Sequence, residues 1–263
     1  MLLGWGCAAC SLLTDTSGLS GGGSALDGGD ATTGDGSADA AVVTYRAAVL
    51  ADKPISYLRF GEKSGVLASD ETGSGNTGDV NGAVVWGVPG ALGSDKDTAV
   101  RLDGKTSLID LGGKIDFAGT APFSLEIWFN AVTVDTSYRF LVAKDQGVGP
   151  AREEWGIVIQ KDNGFYFERF VANVQRSAAT AAPGVGRWVY TVATYDGTHL
   201  ELFVDGALVV QTADARPQLS KIVPLYIGGG PAGAGFDGTI DELAIYDRAL
   251  PAERIKAHFD AAK

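Results

Sequence analysis

The stretch FSLEIWFN at residues 123–130 decides the fold, because it alternates apolar and other side chains along its length. Successive side chains of a β-strand point to opposite faces. Four apolar residues therefore share one face, which we expect to lie in the core: Phe123, Leu125, Ile127 and Phe129. Glu126 and Trp128 share the opposite face. The alternation predicts a strand with one fully apolar side.

The next segment along the chain predicts a β-hairpin. Residues 155–160 and 165–167 are apolar and aromatic, and they flank Asp162-Asn163-Gly164. Asn-Gly pairs are typical of type I′ turns, in which both central residues need φ > 0. We therefore expect residues 165–167 to form the return strand of a hairpin that turns at Asn163 and Gly164.

A second group of strands follows. Residues 188–194, 200–204 and 208–210 are apolar, and Asp196-Gly197 and Asp205-Gly206 separate them. Connections this short predict antiparallel pairing, since parallel strands need a long crossover. Several short strands separated by Gly, Asp and Asn indicate an all-β sandwich or barrel.

Two short helices are predicted at the ends of this region. Residues 45–50 place Tyr45 and Val49 one helical turn apart, and the segment stops before Pro54. Residues 251–259 begin with a proline, which suits the first helical position. The apolar stripe expected for this second helix consists of Leu250, Ile255 and Phe259.

Charge and composition exclude several classes of protein. The 263 residues carry a formal net charge of −11, which disfavours non-specific binding to nucleic acid or to an anionic membrane. No apolar run is long enough to span a bilayer as a helix. The only cysteines are Cys7 and Cys10, and the only histidines are His199 and His258, so the rest of the chain has little material for a disulfide or a zinc site.

The first forty residues differ in character from the rest. Residues 1–10 are apolar, and Ala8-Ala9-Cys10 resembles the lipobox of bacterial lipoproteins, which implies a truncated signal and a lipid anchor on Cys10. The Cys7 to Cys10 spacing also suits a redox or zinc motif, but no partner ligands or following helix pattern support one. Residues 11–42 are rich in Gly, Ser and Asp and predict a disordered linker. Residues 43–263 are the predicted domain.

Several motifs in a fixed order resemble the laminin-G-like jelly-roll domains of the concanavalin A-like lectin/glucanase superfamily. The motifs lie at residues 57–62, 69–76, 100–104, 123–129, 188–197, 202–206, 225–229 and 236–250. The resemblance covers about residues 45–263 and implies an all-β, two-sheet antiparallel jelly-roll sandwich with short flanking helices. It implies little about function, because this fold carries lectins, enzymes, adhesion modules and spacers.

A calcium site is the first candidate for bound chemistry. Asp70, Glu71 and Asn76 crowd a Gly-rich loop, and carboxylate and amide oxygens from such loops suit Ca²⁺. The resemblance implies a structural Ca²⁺ in some members, with Asp70, Asn76 and Asp241 as the ligands here. The alternative is that these residues only form turns, which Asp, Asn and Gly favour without an ion.

A glycan site is the second candidate. Sugar rings stack on exposed aromatic faces, and carboxylates or amides bind their hydroxyl groups. The predicted ligand-binding residues are Trp128, Glu126, Trp155 and Tyr138, with Trp86 and Tyr166 as further candidate aromatics. The alternative is that these aromatics are ordinary strand residues with both sheet faces covered.

Catalysis is not expected. Glycosidases need two carboxylates at a fixed separation, whereas Glu126 stands alone on its strand. Asp241 and Glu242 are adjacent and should point to opposite faces, and Glu153-Glu154 are predicted to be solvated. Neither histidine accompanies a nucleophile elbow.

The sequence therefore predicts a non-catalytic, extracytoplasmic binding module on a bacterial surface lipoprotein or a secreted protein. Its expected partner is a glycan or a cell-surface protein, and Ca²⁺ is the expected stabilising ion. Contact with a membrane is expected through the lipid anchor alone, and nucleic acid is not expected as a partner. The alternative is a structural or adhesion spacer without a small ligand.

Overall fold

The computed structural model describes residues 43–93, 95–134, 138–144, 154–230 and 234–263. The predictions for residues 1–10, for residues 11–42 and for lipidation of Cys10 lie outside these residues. Within the described part of the chain, no helix is both long and apolar enough to cross a membrane.

The described residues form two antiparallel sheets and two short helices. In chain order the elements are α1 (Tyr45–Ala51), β1 (Ser56–Leu58), β2 (Leu67–Ala68), β3 (Gly78–Asn81), β4 (Val84–Pro89), β5 (Thr98–Asp103), β6 (Leu108–Asp110), β7 (Phe123–Ala131), β8 (Arg139–Lys144), β9 (Glu154–Ile159), β10 (Gly164–Val171), β11 (Val174–Ala181), β12 (Val189–Tyr195), β13 (His199–Val204), β14 (Ala207–Ala213), β15 (Leu225–Ile227), β16 (Asp237–Tyr246) and α2 (Ala252–Ala261).

The first sheet has the strand order β14-β13-β12-β7-β16-β5-β4, and β1 also pairs with β16. The second sheet has the order β11-β10-β9-β8-β15-β6-β3-β2. Neighbouring strands pair antiparallel in both sheets. The prediction of a two-sheet antiparallel jelly-roll sandwich with short flanking helices is confirmed.

The main core lies between the two sheets. The apolar face of β7 points into it as predicted, with Phe123, Leu125, Ile127 and Phe129 all buried. The facing strands of the second sheet contribute Ile157, Ile159, Phe165 and Phe167. Because β9 and β10 bury these alternate residues, the residues between them point to the outer face of the second sheet.

The outer face of the first sheet is covered by the two helices. Tyr45 and Val49 of α1 and Ile255 of α2 are buried there in a second apolar cluster. The Thr44 side chain caps α1, and Pro251 is the N-cap of α2 rather than its first helical residue. The helices therefore act as a third layer, which makes both faces of β7 buried.

The turns follow the prediction in one place and depart from it in another. At Asp205-Gly206 both residues have positive φ, 51° and 80°, as a type I′ turn requires. At the β9–β10 hairpin only Asn163 has positive φ, at 58°, and the Asn163 N–H bonds the Gln160 carbonyl at 3.0 Å. The predicted type I′ turn at Asn163-Gly164 is therefore wrong, because the loop is longer and only its last residue is left-handed.

Candidate functional site

The predicted calcium loop is organised around the Asp70 carboxylate. It accepts hydrogen bonds from the backbone N–H groups of Tyr57 and Asn76, both at 3.0 Å. The Thr72 and Ser74 hydroxyl groups also donate to it, at 2.8 and 2.7 Å. Burial opposes ionisation of Asp70, but the hydrogen bonds from Ser74, Tyr57 and Thr72 outweigh it and lower the pKa. The loop is held in shape by its own donors.

The third predicted calcium ligand, Asp241, lies in a different environment. Its carboxylate is 1% exposed, and its Oδ2 accepts from the Ala91 N–H at 2.8 Å. No hydrogen bond between described residues joins Asp241 to Asp70 or Asn76, and these residues contain no group of three or more His, Cys, Asp or Glu side chains placed to hold a metal ion. The structure thus brings together Asp70 and Asn76 but not Asp241, and calcium binding stays a prediction.

A β-bulge changes the geometry of Asp241 and Glu242. The register of β16 against β7 shifts between Asp241 and Ala244, and Glu242 has a φ of 52°. Such a bulge interrupts the alternation of side chains. Arg59 contacts Glu242 at 2.6 Å and Asp97 at 3.0 Å. Burial raises the pKa of Asp241, and the nearby negative charges of Glu242 and Asp97 raise it further. The expectation that Asp241 and Glu242 point apart is wrong, because both join one charged cluster.

A polar pocket of about 290 Å³ opens beside this cluster. Its lining residues are Arg59, Phe60, Gly61, Glu62, Ser69, Glu71 and Asp97. Burial raises the pKa of Glu242, behind the pocket, to about 7 despite the opposing contact with Arg59. Phe60, the only aromatic residue of the lining, is 1% exposed. The pocket therefore offers no aromatic surface on which a sugar ring could stack.

Glu126 and Trp128 face away from the main core, as predicted, but they are not at the surface. Trp128 is 6% exposed, and its ring packs against both Tyr190 and Phe259, which also stack on each other. The Glu126 carboxylate is fully buried and accepts hydrogen bonds from the hydroxyl groups of three tyrosines, Tyr45, Tyr190 and Tyr246. These two residues hold the helical layer on the sheet and offer no open face to a glycan.

Trp155 is also enclosed. Its side chain lies in the main core against Phe117 and Phe123, with ring centroids 5.5 and 5.0 Å away. Stacking of a sugar on Trp155 or Trp128 would require the fold to open, because both rings are almost fully buried.

Tyr138, Tyr166 and Trp86 are the accessible members of the predicted set of aromatics. Trp86 on β4 is half-buried against the main core, and its Nε1 donates to the Gly65 carbonyl at 3.1 Å. It lies on the other sheet from the two tyrosines.

Tyr138 precedes β8 and is 41% exposed, the highest value for any aromatic side chain in the described residues. The Nζ atom of Lys161, in the β9–β10 turn, lies 5.2 Å from the Tyr138 ring centroid. Tyr166 on β10 is half-buried, and its hydroxyl donates to Asp162 of the same turn at 2.5 Å.

The turn fixes the position of the Tyr166 ring. Asp162 accepts from both the Tyr166 hydroxyl and the Gly164 N–H. A Cβ atom on Gly164 would collide with the ring, so only glycine leaves room for Tyr166 to lie over the turn. The hydrogen bond to Asp162 raises the pKa of Tyr166 to about 12, and burial and the negative charges of Asp162 and Glu168 add to the effect. Tyr166 pairs with Val158, which pairs with Phe140, two residues after Tyr138, so strand register places the two tyrosines on neighbouring positions of this sheet.

Three polar side chains lie beside these rings on the outer face of the second sheet. The Glu168 carboxylate accepts from the Nε2 atoms of Gln160 at 2.6 Å and Gln175 at 2.7 Å. None of these three residues is among those predicted from the sequence, although burial of Phe165 and Phe167 fixes Glu168 on the outward side. We define the tyrosine platform as Tyr138, Gln160, Lys161, Asp162, Tyr166, Glu168 and Gln175.

A second carboxylate shares this face. In the register of β9 and β10, Glu168 pairs with Gly156 and Phe170 pairs with Glu154, so Glu154 and Glu168 are diagonal neighbours. Glu154 is 4% exposed, and the prediction that it is solvated is wrong. Glu168 is 5% exposed. The pair is too enclosed to flank a glycosidic bond in the way a glycosidase requires.

The fold places the protein in a broad structural class. Two antiparallel sheets packed around an enclosed apolar core are the features of a jelly-roll β-sandwich. Residues 102–256 match the Laminin_G_3 family model of the concanavalin A-like lectin/glucanases superfamily, and the chain belongs to this family. No curated protein matches the sequence.

Solved structures share the fold at low sequence identity. One is domain 4 of AbnA, an extracellular GH43 arabinanase from Geobacillus stearothermophilus, in complex with arabinotriose. It is 18% identical with a TM-score of 0.65, and the match covers 80% of this chain and 98% of that domain. Another is the binding domain of botulinum neurotoxin DC in complex with SialylT, 13% identical with a TM-score of 0.59, matched over 81% of this chain and 52% of that one.

The sialidase of Trypanosoma rangeli, in complex with sialic acid, is a third example. It is 15% identical with a TM-score of 0.57, over 78% of this chain and 32% of the sialidase. This chain therefore spans about half of the neurotoxin binding domain and a third of the sialidase. At these identities the likeness shows the fold alone.

Proposed function

We propose that the protein is a non-catalytic, extracytoplasmic module that binds carbohydrate through the tyrosine platform. One observation carries the proposal: the most exposed aromatic ring of the described residues, Tyr138, stands near the half-buried Tyr166 and next to the turn residues Lys161 and Asp162. Aromatic faces combined with a few fixed polar groups are what sugar recognition requires. Arabinotriose and sialyl ligands in proteins of the same fold support a glycan as the class of ligand.

The proposed platform differs in part from the set predicted from the sequence. It keeps Tyr138 and adds Tyr166 and its polar neighbours, whereas Trp128, Trp155 and Glu126 are enclosed. A lipid anchor on Cys10, a bacterial cell-surface or secreted location and stabilisation by Ca²⁺ stay parts of the proposal that rest on the sequence. The second candidate function, a structural or adhesion spacer, has no observation of its own in its favour.

A glycan array with the full chain tests the proposal, in buffer with Ca²⁺ and again with EDTA. We expect binding to a defined class of glycans. Tyr138→Ala should weaken that binding about fivefold, because an aromatic contact is worth about 1 kcal/mol. Since Tyr138 is exposed, this variant should fold normally.

Val209→Ala is the matched control, because Val209 is 44% exposed on β14 of the other sheet. It should bind as the unmodified protein does. Absence of binding to any glycan, or binding that is indifferent to Tyr138→Ala, would favour the spacer function. Binding that is lost in EDTA would show a role for Ca²⁺, and release of shortened products would show catalysis.

A further inference from the structure

The chain contains two Asn-Gly pairs, and the structure gives them different environments. Asn81-Gly82 lies at the end of β3, and Asn163-Gly164 lies in the β9–β10 turn. Glycine has no Cβ atom to hinder its own backbone nitrogen. That nitrogen can therefore attack the Cγ atom of the asparagine before it. Both asparagines are exposed to solvent, so exposure alone does not separate the two pairs.

The reaction open to such a pair is deamidation, which makes asparagine thermolabile and needs no reagent except water. The glycine nitrogen loses its proton and forms a bond to Cγ, while the Cγ–NH₂ bond breaks and the amide group leaves as ammonia. Water then hydrolyses one of the two carbonyl groups of the succinimide ring. One direction of opening gives aspartate. The other gives isoaspartate, in which the main chain runs through the former side chain and is longer by one carbon atom.

Hydrogen bonds hold both sides of the Asn163-Gly164 peptide bond. The Gly164 N–H donates to the Asp162 carboxylate at 2.8 Å, and the Asn163 carbonyl accepts from the Ala182 N–H at 2.8 Å. The Gly164 carbonyl accepts from the Gln160 N–H at 2.9 Å. Ring closure requires this peptide plane to turn, so these bonds must break first. The negative charge of Asp162 also opposes removal of the Gly164 proton.

The Asn81-Gly82 peptide bond is held less firmly. Within the described part of the chain, the Gly82 N–H donates no hydrogen bond. Asn81 pairs with Leu108 on one side, but on the other side β2 pairs only with Gly78 and Asp79 and stops short of it. The Asn81 side chain donates one hydrogen bond, from Nδ2 to the Asp79 carbonyl at 3.2 Å. The Gly82 nitrogen is therefore open to lose its proton, and one weak contact restrains the amide group that it attacks.

We infer that Asn81 is a site of spontaneous deamidation in the folded protein and that Asn163 is protected from the same reaction. The inference goes beyond the proposed carbohydrate-binding function and does not rest on it. Ring closure at Asn163 must break the hydrogen bonds of both Gly164 N–H and the Asn163 carbonyl, so Asn81 should react about tenfold faster or more.

The product should disturb the end of β3, because Gly82 lies against the β5–β6 turn. A Cβ atom on Gly82 would lie 2.3 Å from the Thr106 carbonyl oxygen. The Asp103 carboxylate holds this turn by accepting from the Thr106 N–H at 2.9 Å. An isoaspartate at position 81 lengthens the main chain where this contact leaves little room. We therefore expect the pairing of residue 81 with Leu108 to be lost and the β3 amides to exchange hydrogen faster.

The test ages the full chain in mildly alkaline buffer and follows both asparagines by peptide mass spectrometry. The same chain unfolded in urea gives a reference rate for each site, because the hydrogen bonds of the fold are absent there. After division by these reference rates, we expect Asn81 to react about tenfold faster or more than Asn163 in the folded chain. A protein isoaspartyl methyltransferase, used as a probe, should label the aged protein.

Variants assign the label and the protection to particular residues. Asn81→Gln should remove most of the label, and Asn163→Gln should leave it, because glutamine closes such a ring much more slowly. Asp162→Ala removes the acceptor of the Gly164 N–H and should raise the rate at Asn163. Asp247→Ala, which removes an exposed carboxylate just after β16 of the other sheet, is the control and should leave both rates unchanged.

Two results would overturn the inference. The first is an equal or faster normalised rate at Asn163 in the folded chain, since the hydrogen bonds of the turn would then give no protection. The second is a folded chain in which Asn81 does not react although it reacts in urea, since the end of β3 would then be as firmly held as the turn. Circular dichroism of each variant before ageing shows that the folded state is the one compared.

Discussion

His258 of α2 reaches down to Glu126 of β7, with its Nδ1 atom 3.1 Å from each carboxylate oxygen. The other ring nitrogen, Nε2, lies 2.9 Å from Asp52 at the end of α1. One imidazole thus joins both helices to the sheet beneath them. An imidazolium ion can donate from both nitrogens, so the geometry suits the charged form of His258.

Substitution of His258 should change how stability depends on pH. Burial opposes the charge on His258, but Glu126 and Asp52 outweigh it and raise the pKa. A raised histidine pKa stabilises the fold fully below the unfolded value of about 6.5, and this contribution is lost as pH rises through the folded value. Between about pH 6 and 9 we expect the melting temperature of the protein to fall more steeply than that of His258→Gln. Both melting temperatures are measured by circular dichroism in one buffer series. If they change with pH in parallel, His258 is not charged in the folded protein.

Removal of the Glu126 carboxylate should be costly. In Glu126→Leu the hydroxyl groups of Tyr45, Tyr190 and Tyr246 lose their acceptor in a buried site. Loss of one partner from a buried charged network costs about 3–5 kcal/mol. The measurement is the free energy of unfolding in urea. Glu253→Leu, on the exposed side of α2, is the control and should change this free energy by about 0.5 kcal/mol or less.

The contribution of Asp241 to stability should be more favourable at low pH, where its carboxyl group is protonated. Burial, with Glu242 and Asp97 nearby, raises its pKa, and its Oδ1 atom has no hydrogen-bond partner. A carboxyl group whose folded pKa is raised loses its stabilising contribution as pH rises above the unfolded value of about 3.9. Asp241→Asn, which resembles the protonated form, should therefore melt higher than the unmodified protein at pH 8 and about equally at pH 4. A lower melting temperature at pH 8 would indicate that the ionised form is needed.

Most of the sandwich was predictable from the sequence, because alternation and Asp-Gly turns are local signals. The core face of β7 and the meander of β12, β13 and β14 follow directly from them. The position of Trp128 was not predictable in the same way: alternation puts it on the outer face of the sheet, but only the tertiary structure shows that α1 and α2 cover that face.

The candidate site was predictable only in part, for related reasons. A bulge depends on pairing between strands that are distant in the sequence. The adjacent positions of Asp241 and Glu242 in the sequence therefore do not predict that both join the Arg59 cluster. Tyr138 and Tyr166 were each candidate aromatics in the sequence. Only the pairing of β8 with β9 and of β9 with β10 places them near each other. The Gln160, Glu168 and Gln175 contacts depend on three strands in register, which no single segment of sequence specifies.

Two glycines with nearly equal φ angles allow the cost of backbone strain to be separated from the cost of a steric clash. Gly206 has a φ of 80°, and a Cβ atom there would lie 2.8 Å from the Phe259 ring of α2. Gly73 has a φ of 74°, and the space around it is open. Gly73→Ala should therefore cost about 1 kcal/mol through strain alone. Gly206→Ala should cost roughly 1–3 kcal/mol more, because the ring of Phe259 must move.

Urea unfolding of both glycine variants gives the two free energies, and the near-ultraviolet circular dichroism of the folded proteins reports on the aromatic cluster around Trp128 and Phe259. We expect Gly206→Ala to change that spectrum and Gly73→Ala to leave it as it is. Combining Gly206→Ala with Phe259→Ala removes the ring that the new methyl group meets, so the two losses should be less than additive. Equal costs for the two glycine variants would mean that the turn, and not its contact with α2, is what requires glycine at position 206.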